Sequence, residues 1–255
     1  ECGMCGLLDG TNVIDNPYIT VMASISMDHM QFLGNTLTEI AENKAGIIKA
    51  YGQCISYPQC EEVSKVLYKK CEEVSASLTF AKANKLEIIS MDVNKSTFLY
   101  KGNQYEIGLL GEHQIYNAIT ALEVLWCIAK DEAFYLTDTH IKNGLNKTDW
   151  QGRMTKINHK PLMFVDGAHN EDAWIFLRNT VNKYFTNRRI IYIIGVLKDK
   201  EYTRMIDILK DTMSYAIAIT PNTKRGLDKD ILAGVIVDCK VECSTADSAR
   251  LAIEK

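Results

Sequence analysis

Two textures of hydrophobic and polar positions divide the chain. In the first, elements of different kinds follow one another. Residues 17–25 (PYITVMASI) form a β-branched apolar run that predicts a strand, and Ser26, Met27, Asp28 and His29 follow at its carboxyl end. A plausible cap at Gly34 and Asn35 then opens TLTEIAENKAGIIKA, with Leu37, Ile40, Ala41, Ile47 and Ile48 at helical spacing. A short strand is expected near 54–57, and a helix over 61–77 with Val63, Val66, Leu67 and Val74 on one face. Residues 86–110 alternate in the manner of strands, and KGNQ between FLY and YEIGLL predicts a hairpin. From Gly111, the stripe Ile115, Ala118, Ile119, Leu122, Leu125, Trp126 and Ala129 predicts a long helix.

The second texture starts near Met154. KPLMFV leads into DGAHN and a helix, RRIIYIIGVL into KDKEY and a helix, and MSYAIAIT into a loop and a further helix. Strands alternating with helices predict a parallel, doubly wound α/β sheet. Two domains are therefore expected, 1–150 and 151–255, joined through NKTDWQGR with Arg153 at the junction.

Composition narrows the possibilities. The 255 residues are 47% hydrophobic and 24% charged, with 15 Gly and 4 Pro, ordinary globular usage that argues against disorder. No apolar run is long enough to span a bilayer, and no secretion signal opens the chain, so a cytoplasmic setting is expected. A net charge of -3 is too balanced for an extended nucleic-acid or membrane footprint. Eight scattered cysteines read as reduced thiols. Cys2 and Cys5 with Cys239 and Cys243 could be assembled into a zinc site, although the spacing of the second pair is loose and small buried hydrophobes are the simpler account.

Polar residues at strand and helix ends are the candidates for chemistry. Lys44 falls on the apolar stripe of its helix, and periodicity leaves two readings open, a desolvated amine or a lysine reaching outward from the stripe's edge. His113 and Asn117, four apart, share a face near a helix start, where capping is the simpler role. Asp166, His169, Asn170, Lys198 and Asp199 all follow predicted strands, the end of an α/β sheet where ligands bind. Arg153 could grip a phosphate bidentately or lie on the surface. Neither a GxGxxG nor a GxxxxGK[ST] loop occurs.

Six segments together resemble folylpolyglutamate synthase and the related bifunctional dihydrofolate synthase, members of the Mur ligase superfamily. ECGMCGLLDGTN resembles the family's EVGLGGRxDATN, and the long stretch ending in ENKAGIIK resembles its EKAGIIK region. GEHQIYNA, QGRM, DGAHN and IGVLKDK follow in the family's order. Leu7 and Cys5 depart from the family's arginine and glycine, which bears on the substrate preference of that loop.

The resemblance implies a Mur-ligase central ATPase domain followed by a Rossmann-like ligase domain, and an ATP-dependent ligation of L-glutamate to folate through an acyl phosphate. It implies ATP and Mg²⁺ as cofactors, with Glu1, His29 and a carbamylated Lys44 holding metal. His113 and Asn117 match adenine-pocket residues, and Arg153 a phosphate contact. Asp166 and His169 match groups at the interdomain cleft, Lys198 and Asp199 a motif facing it, and Asp9 the pterin side. Folate and glutamate are the expected partners of a monomer. The family carries its phosphate loop ahead of the position of Glu1, so the chain reads as a fragment lacking both termini and inactive alone. A peptidoglycan-precursor ligase, a non-catalytic binding remnant and a zinc module are the alternatives.

Overall fold

The computed structural model describes residues 6, 9–27, 33–130 and 134–255, which form two compact units, Glu1–Trp150 and Gln151–Lys255. In the first unit, β1 (Thr20–Met22), β2 (Gln53–Ser56) and β3 (Ser77–Phe80) form a parallel sheet in the order β1-β2-β3. Helices α1 (Leu37–Ala45) and α2 (Glu61–Glu73) connect these strands. Their apolar stripes, including Ile40, Ala41, Val63 and Leu67, close a core with Met22 and Cys54. The predicted helix over 61–77 ends four residues early because Ser75 takes a left-handed φ of 54°, and Ser77 opens β3.

A second layer of the same unit is an antiparallel meander of β4 (Leu86–Met91), β5 (Ser96–Tyr100) and β6 (Asn103–Ile107). Its β5–β6 turn is the Lys101–Gly102 hairpin that the alternating pattern predicts. Against it packs α3 (Glu112–Ile128), whose Ile115, Ile119 and Leu122 are fully buried beside Phe98, Tyr100 and Tyr105. Helix α4 (Asp138–Asn146) adds Ile141 and Leu145 to this core.

The second unit opens with an antiparallel hairpin of β7 (Thr155–His159) and β8 (Leu162–Val165). The strand leading into DGAHN thus pairs with its immediate predecessor. Beyond it, β9 (Ile191–Ile194), β10 (Tyr215–Ile219) and β11 (Cys243–Ala246) form a parallel sheet in the order β11-β10-β9. Helices α5 (Glu171–Tyr184), α6 (Tyr202–Leu209), α7 (Lys229–Asp238) and α8 (Ala249–Ile253) alternate with these strands. Met205, Ile206 and Leu209 are buried on α6, and truncating one to alanine would cost about 2–5 kcal/mol.

No helix among the described residues is long and apolar enough to cross a membrane. The described cysteines at 54, 60, 71, 127, 239 and 243 are free thiols, and no group of three metal-ligating side chains occurs among the described residues. Cys2 and Cys5 lie outside them.

Candidate active site

Local chemistry fixes the start of α1, the helix whose last turn carries Lys44. Thr36 and Glu39 form a reciprocal capping box: Glu39 N–H donates to Thr36 Oγ1 at 3.2 Å, while the backbone N–H groups of Asn35 and Thr36 donate to Glu39 Oε2 at 2.7 and 3.1 Å. Those donors hold the Glu39 carboxyl below the usual carboxylate range. Asn43 Nδ2 donates to the carbonyls of Leu33 and Glu39, tying the entry of the helix to its last turn. Lys44 is half-buried on that turn, with no ion pair to its ammonium among the described residues.

Gly6 reaches the same place. A Cβ on Gly6 would lie 2.3 Å from the Asn43 carbonyl oxygen and 2.6 Å from that of Lys44, so only glycine lets the backbone press against this helix end. Asp9 caps a 3₁₀ turn over Gly10–Val13, with Oδ1 accepting from Thr11 N–H at 2.9 Å and Thr11 Oγ1 at 2.6 Å. Lys49 Nζ donates to the Asn12 carbonyl at 2.9 Å, joining that turn to the residues after α1. Glu1 and His29 lie outside the described residues.

His113 and Asn117 occupy the first turns of α3, behind Gly111 with φ 103°. Asn117 is exposed and its Nδ2 donates to Gln114 Oε1 at 3.0 Å. Gln114 is the buried member of the group, and sequence reading passed over it. Its signal was present in the spacing, because Gln114, Ala118 and Leu122 fall on one stripe. The Tyr57 and Tyr116 rings meet nearby at 5.9 Å. Burial, with Tyr116 and Glu112 adding to it, pushes the Tyr57 phenol up to about 12.

In the second unit the structure brings Arg153, Asp166 and His169 together. Gly167 N–H donates to the Gly152 carbonyl at 2.8 Å, and Arg153 Nη1 donates to the same oxygen at 3.2 Å. Asp166 clamps both segments, Oδ2 accepting from Met154 N–H and Oδ1 from Ala168 N–H, each at 2.8 Å. A Cβ on Gly167 would come within 3.1 Å of Arg153 Nη1. Trp174 Nε1 donates to the Ala168 carbonyl at 3.1 Å and anchors the loop to the buried face of α5. His169 is exposed, with Nδ1 2.8 Å from the Gly167 carbonyl. A carbonyl can only accept, so a neutral His169 carries its proton on Nδ1 and presents Nε2 as an acceptor.

Lys198 and Asp199 belong to a second clasp. Arg225 forks onto Asp199, Nε to Oδ1 at 3.1 Å and Nη2 to Oδ2, while Lys198 N–H donates to the Arg225 carbonyl at 2.9 Å. The guanidinium holds the Asp199 carboxyl below its ordinary range. Arg225 was not a sequence candidate, and a TKRG turn gives no sign of a partner 26 residues away. The Lys198 ammonium is exposed, with no ion pair among the described residues.

Residues 1–125 match the Mur ligase middle domain, and residues 152–255 match the glutamate ligase domain of Mur ligases. The chain belongs to the Mur ligase family. Within it, the chain is similar to the dihydrofolate synthase/folylpolyglutamate synthase of Bacillus subtilis, 34% identical over 223 residues that cover 85% of this chain and 51% of that protein. It is also similar to the folylpolyglutamate synthase of Lacticaseibacillus casei, 31% identical over 234 residues, 89% of this chain and 54% of that one. Among solved structures, Mycobacterium tuberculosis folylpolyglutamate synthase complexed with ADP and AMPPCP superposes with a TM-score of 0.88 at 26% identity, covering 100% of this chain and 59% of that one. The chain spans about half the length of the two curated relatives.

Proposed function

We infer that this chain works in an ATP-dependent ligase that adds L-glutamate to a folate, the carboxylate being activated as an acyl phosphate. The observation that carries this reading is the match of both units, in order, to the two Mur ligase domains, with folate ligases as similar relatives. Transfer of the γ-phosphoryl group of ATP to a folate carboxylate gives ADP and an acyl phosphate. The glutamate amine then attacks the carbonyl carbon, forming the amide and expelling phosphate as the amine loses a proton.

Both steps gather anions, so fixed cations must offset their repulsion. Arg153 suits the phosphate oxygens, because its turn is locked against the Asp166–Asn170 loop. Asp166 acts as the clamp that sets Arg153 beside His169. His169 Nε2 can take the proton that the amine releases. Lys198 adds a second cation at the β9–α6 loop, and His113 with Asn117 supplies polar edges for a base.

One magnesium ion would be held by Glu1 and His29 and a second with the help of Lys44 as its carbamate, and they would supply charge neutralisation at the phosphate oxygens. These donors fit: an anionic oxygen donor for each suits a hard cation, and Lys44 is half-buried without a competing ion pair among the described residues. Asp9 belongs to the pterin side of this reading. The reading includes a monomer in a cytoplasmic setting, with folate and glutamate as its partners.

The test is ATP-dependent incorporation of labelled glutamate into tetrahydrofolate by the complete gene product, beside Lys44→Ala. Steep loss in the variant is expected, with a carbamate carbon signal in labelled bicarbonate that disappears with the lysine. No incorporation into any folate would overturn the reading in favour of a peptidoglycan-type ligase or a non-catalytic binder.

A further inference from the structure

A hollow of about 510 Å³ on the first unit is lined by Lys82, Lys85, Lys101 and Gly102, none of them a candidate above. We propose that it binds a linear oligoanion, and that its occupant is the γ-linked oligoglutamate chain of the folate. The choice of occupant rests on the function proposed above; the hollow's chemistry does not.

A buried acid organises the hollow. Glu123 on α3 is only 7% exposed, and a carboxylate so placed is costly unless donors surround it. Two do. The Tyr100 hydroxyl donates to Glu123 Oε1 at 2.5 Å, and Lys101 Nζ lies 2.6 Å from the same oxygen. The Tyr100 hydroxyl in turn accepts from Lys82 N–H at 2.8 Å, while Lys101 N–H donates to the Lys85 carbonyl at 3.1 Å. The Lys101 ammonium rests 4.8 Å above the centre of the Trp126 ring, which stacks on Tyr100. Lys101 and Gly102 both have positive φ, 50° and 83°, the tight hairpin turn that aims Lys101 back at the helix. Two backbone segments carrying three lysines are thus pinned to one helix through one carboxylate.

Charge then decides what the hollow prefers. Glu123 neutralises Lys101, but Lys82 and Lys85 are exposed with no ion pair among the described residues. The wall therefore offers spaced positive charge on rigid turns, suited to repeated anionic groups and not to one compact ion. Each γ-linked glutamate keeps its α-carboxylate free, so the chain is such a ligand; a polyphosphate shares the chemistry. The site also stands apart from the start of α3, since Glu123 follows His113 by ten residues, about 15 Å along the axis.

Titration calorimetry without ATP, using tri-γ-glutamate, tripolyphosphate and free glutamate, tests this in the complete chain and in Lys82→Ala/Lys85→Ala. Tri-γ-glutamate is expected to bind, more weakly as salt rises, and about tenfold more weakly in the double variant, as two screened charge contacts warrant. Both side chains are exposed, so the variant's melting temperature should not move. Binding of tripolyphosphate alone would keep the oligoanion site and overturn the oligoglutamate assignment. Absence of binding, affinity unchanged in the double variant, or equal binding of free glutamate would overturn the site itself. Because no turnover is measured, these outcomes are separate from failure of glutamate incorporation.

Discussion

Replacing Asp166 with asparagine tests whether this carboxylate holds the second unit's loops. The substitution keeps the side chain's shape, so it opens no cavity. One asparagine atom still accepts, but the other becomes an NH₂ facing a backbone N–H, either that of Met154 or that of Ala168. One charge-assisted bond is lost, worth about 1.5–3 kcal/mol, and the other becomes a weaker neutral one. Asp166 is half-buried, so water recovers part of this, leaving about 2 kcal/mol. For a unit of about 100 residues, each kcal/mol moves the midpoint roughly 4–8 °C, so a drop of roughly 8–16 °C is expected in the transition reported by Trp174.

Amide exchange gives the local readout. Met154 and Ala168 should both exchange faster in the variant, while amides of β10 should change only as far as global stability does. Glutamate incorporation should fall further than the folded fraction, because Arg153 and His169 lose their common anchor. A midpoint shift under about 2 °C with both amides still protected would refute the clamp.

Gly34→Ala should destabilise the first unit by about 2–3 kcal/mol or more, measured by chemical denaturation, since φ is +120° and the new Cβ would lie 2.4 Å from Glu39 Cβ. Gly167→Ala should cost about 1 kcal/mol, because the new Cβ would meet the flexible end of Arg153 at 3.1 Å, which can give way, and the Gly152 carbonyl oxygen at 3.2 Å, which gives less; on the function proposed above it should also weaken nucleotide binding by moving that guanidinium. Among the described cysteines, iodoacetamide at mildly alkaline pH should label Cys60 first and Cys54 only on unfolding; Cys60 is exposed, whereas burial beside Cys71 pushes the Cys54 thiol up to about 12, and mass spectrometry of the labelled peptides reads the order. The Asp199 carboxyl is held down by Arg225, so the clasp's contribution is present above an ordinary aspartate pKa of about 3.9 and fades as pH falls through the lower folded value; carbon NMR titration should place that midpoint below the one in Arg225→Met.

Elements with strong local signals were legible. The stripe of α3 and the KGNQ hairpin follow from periodicity, and DGAHN and KDK sit at loops after strands as the alternation predicts. Helix α4 was missed because only Ile141 and Leu145 mark its apolar face and Gly144 interrupts it. The antiparallel partner of β8 was missed because the turn at Lys160 and Pro161 carries neither glycine nor asparagine. Arg225 and Glu123 were invisible as a class, since what distinguishes each is a partner set by distant chain. Motif spacing singled out Arg153, Asp166 and His169, but not the hydrogen bonds that divide them between loop-holding and exposed groups.

That division follows one physical rule. Glu39 accepts from a helix start, Asp9 caps a turn, Asp166 accepts two backbone amides and Asp199 is paired with Arg225, so these acids are spent on shaping loops. The cations of each unit are held differently: among the described residues, Lys44 in the first and Lys198 in the second have no ion pair, and Arg153 donates only to a neutral carbonyl. On the function proposed above, each unit gains from this asymmetry, because an unpaired acid would repel anionic substrates and an already paired cation would have less attraction to offer. Substituting the acids should therefore act mainly through geometry and stability, and substituting Arg153 or Lys198 mainly through the affinity for anionic substrates. Asp166→Asn and Lys198→Ala, compared by melting temperature and by KM for ATP, separate the two classes: the first should move the melting temperature and the second the KM.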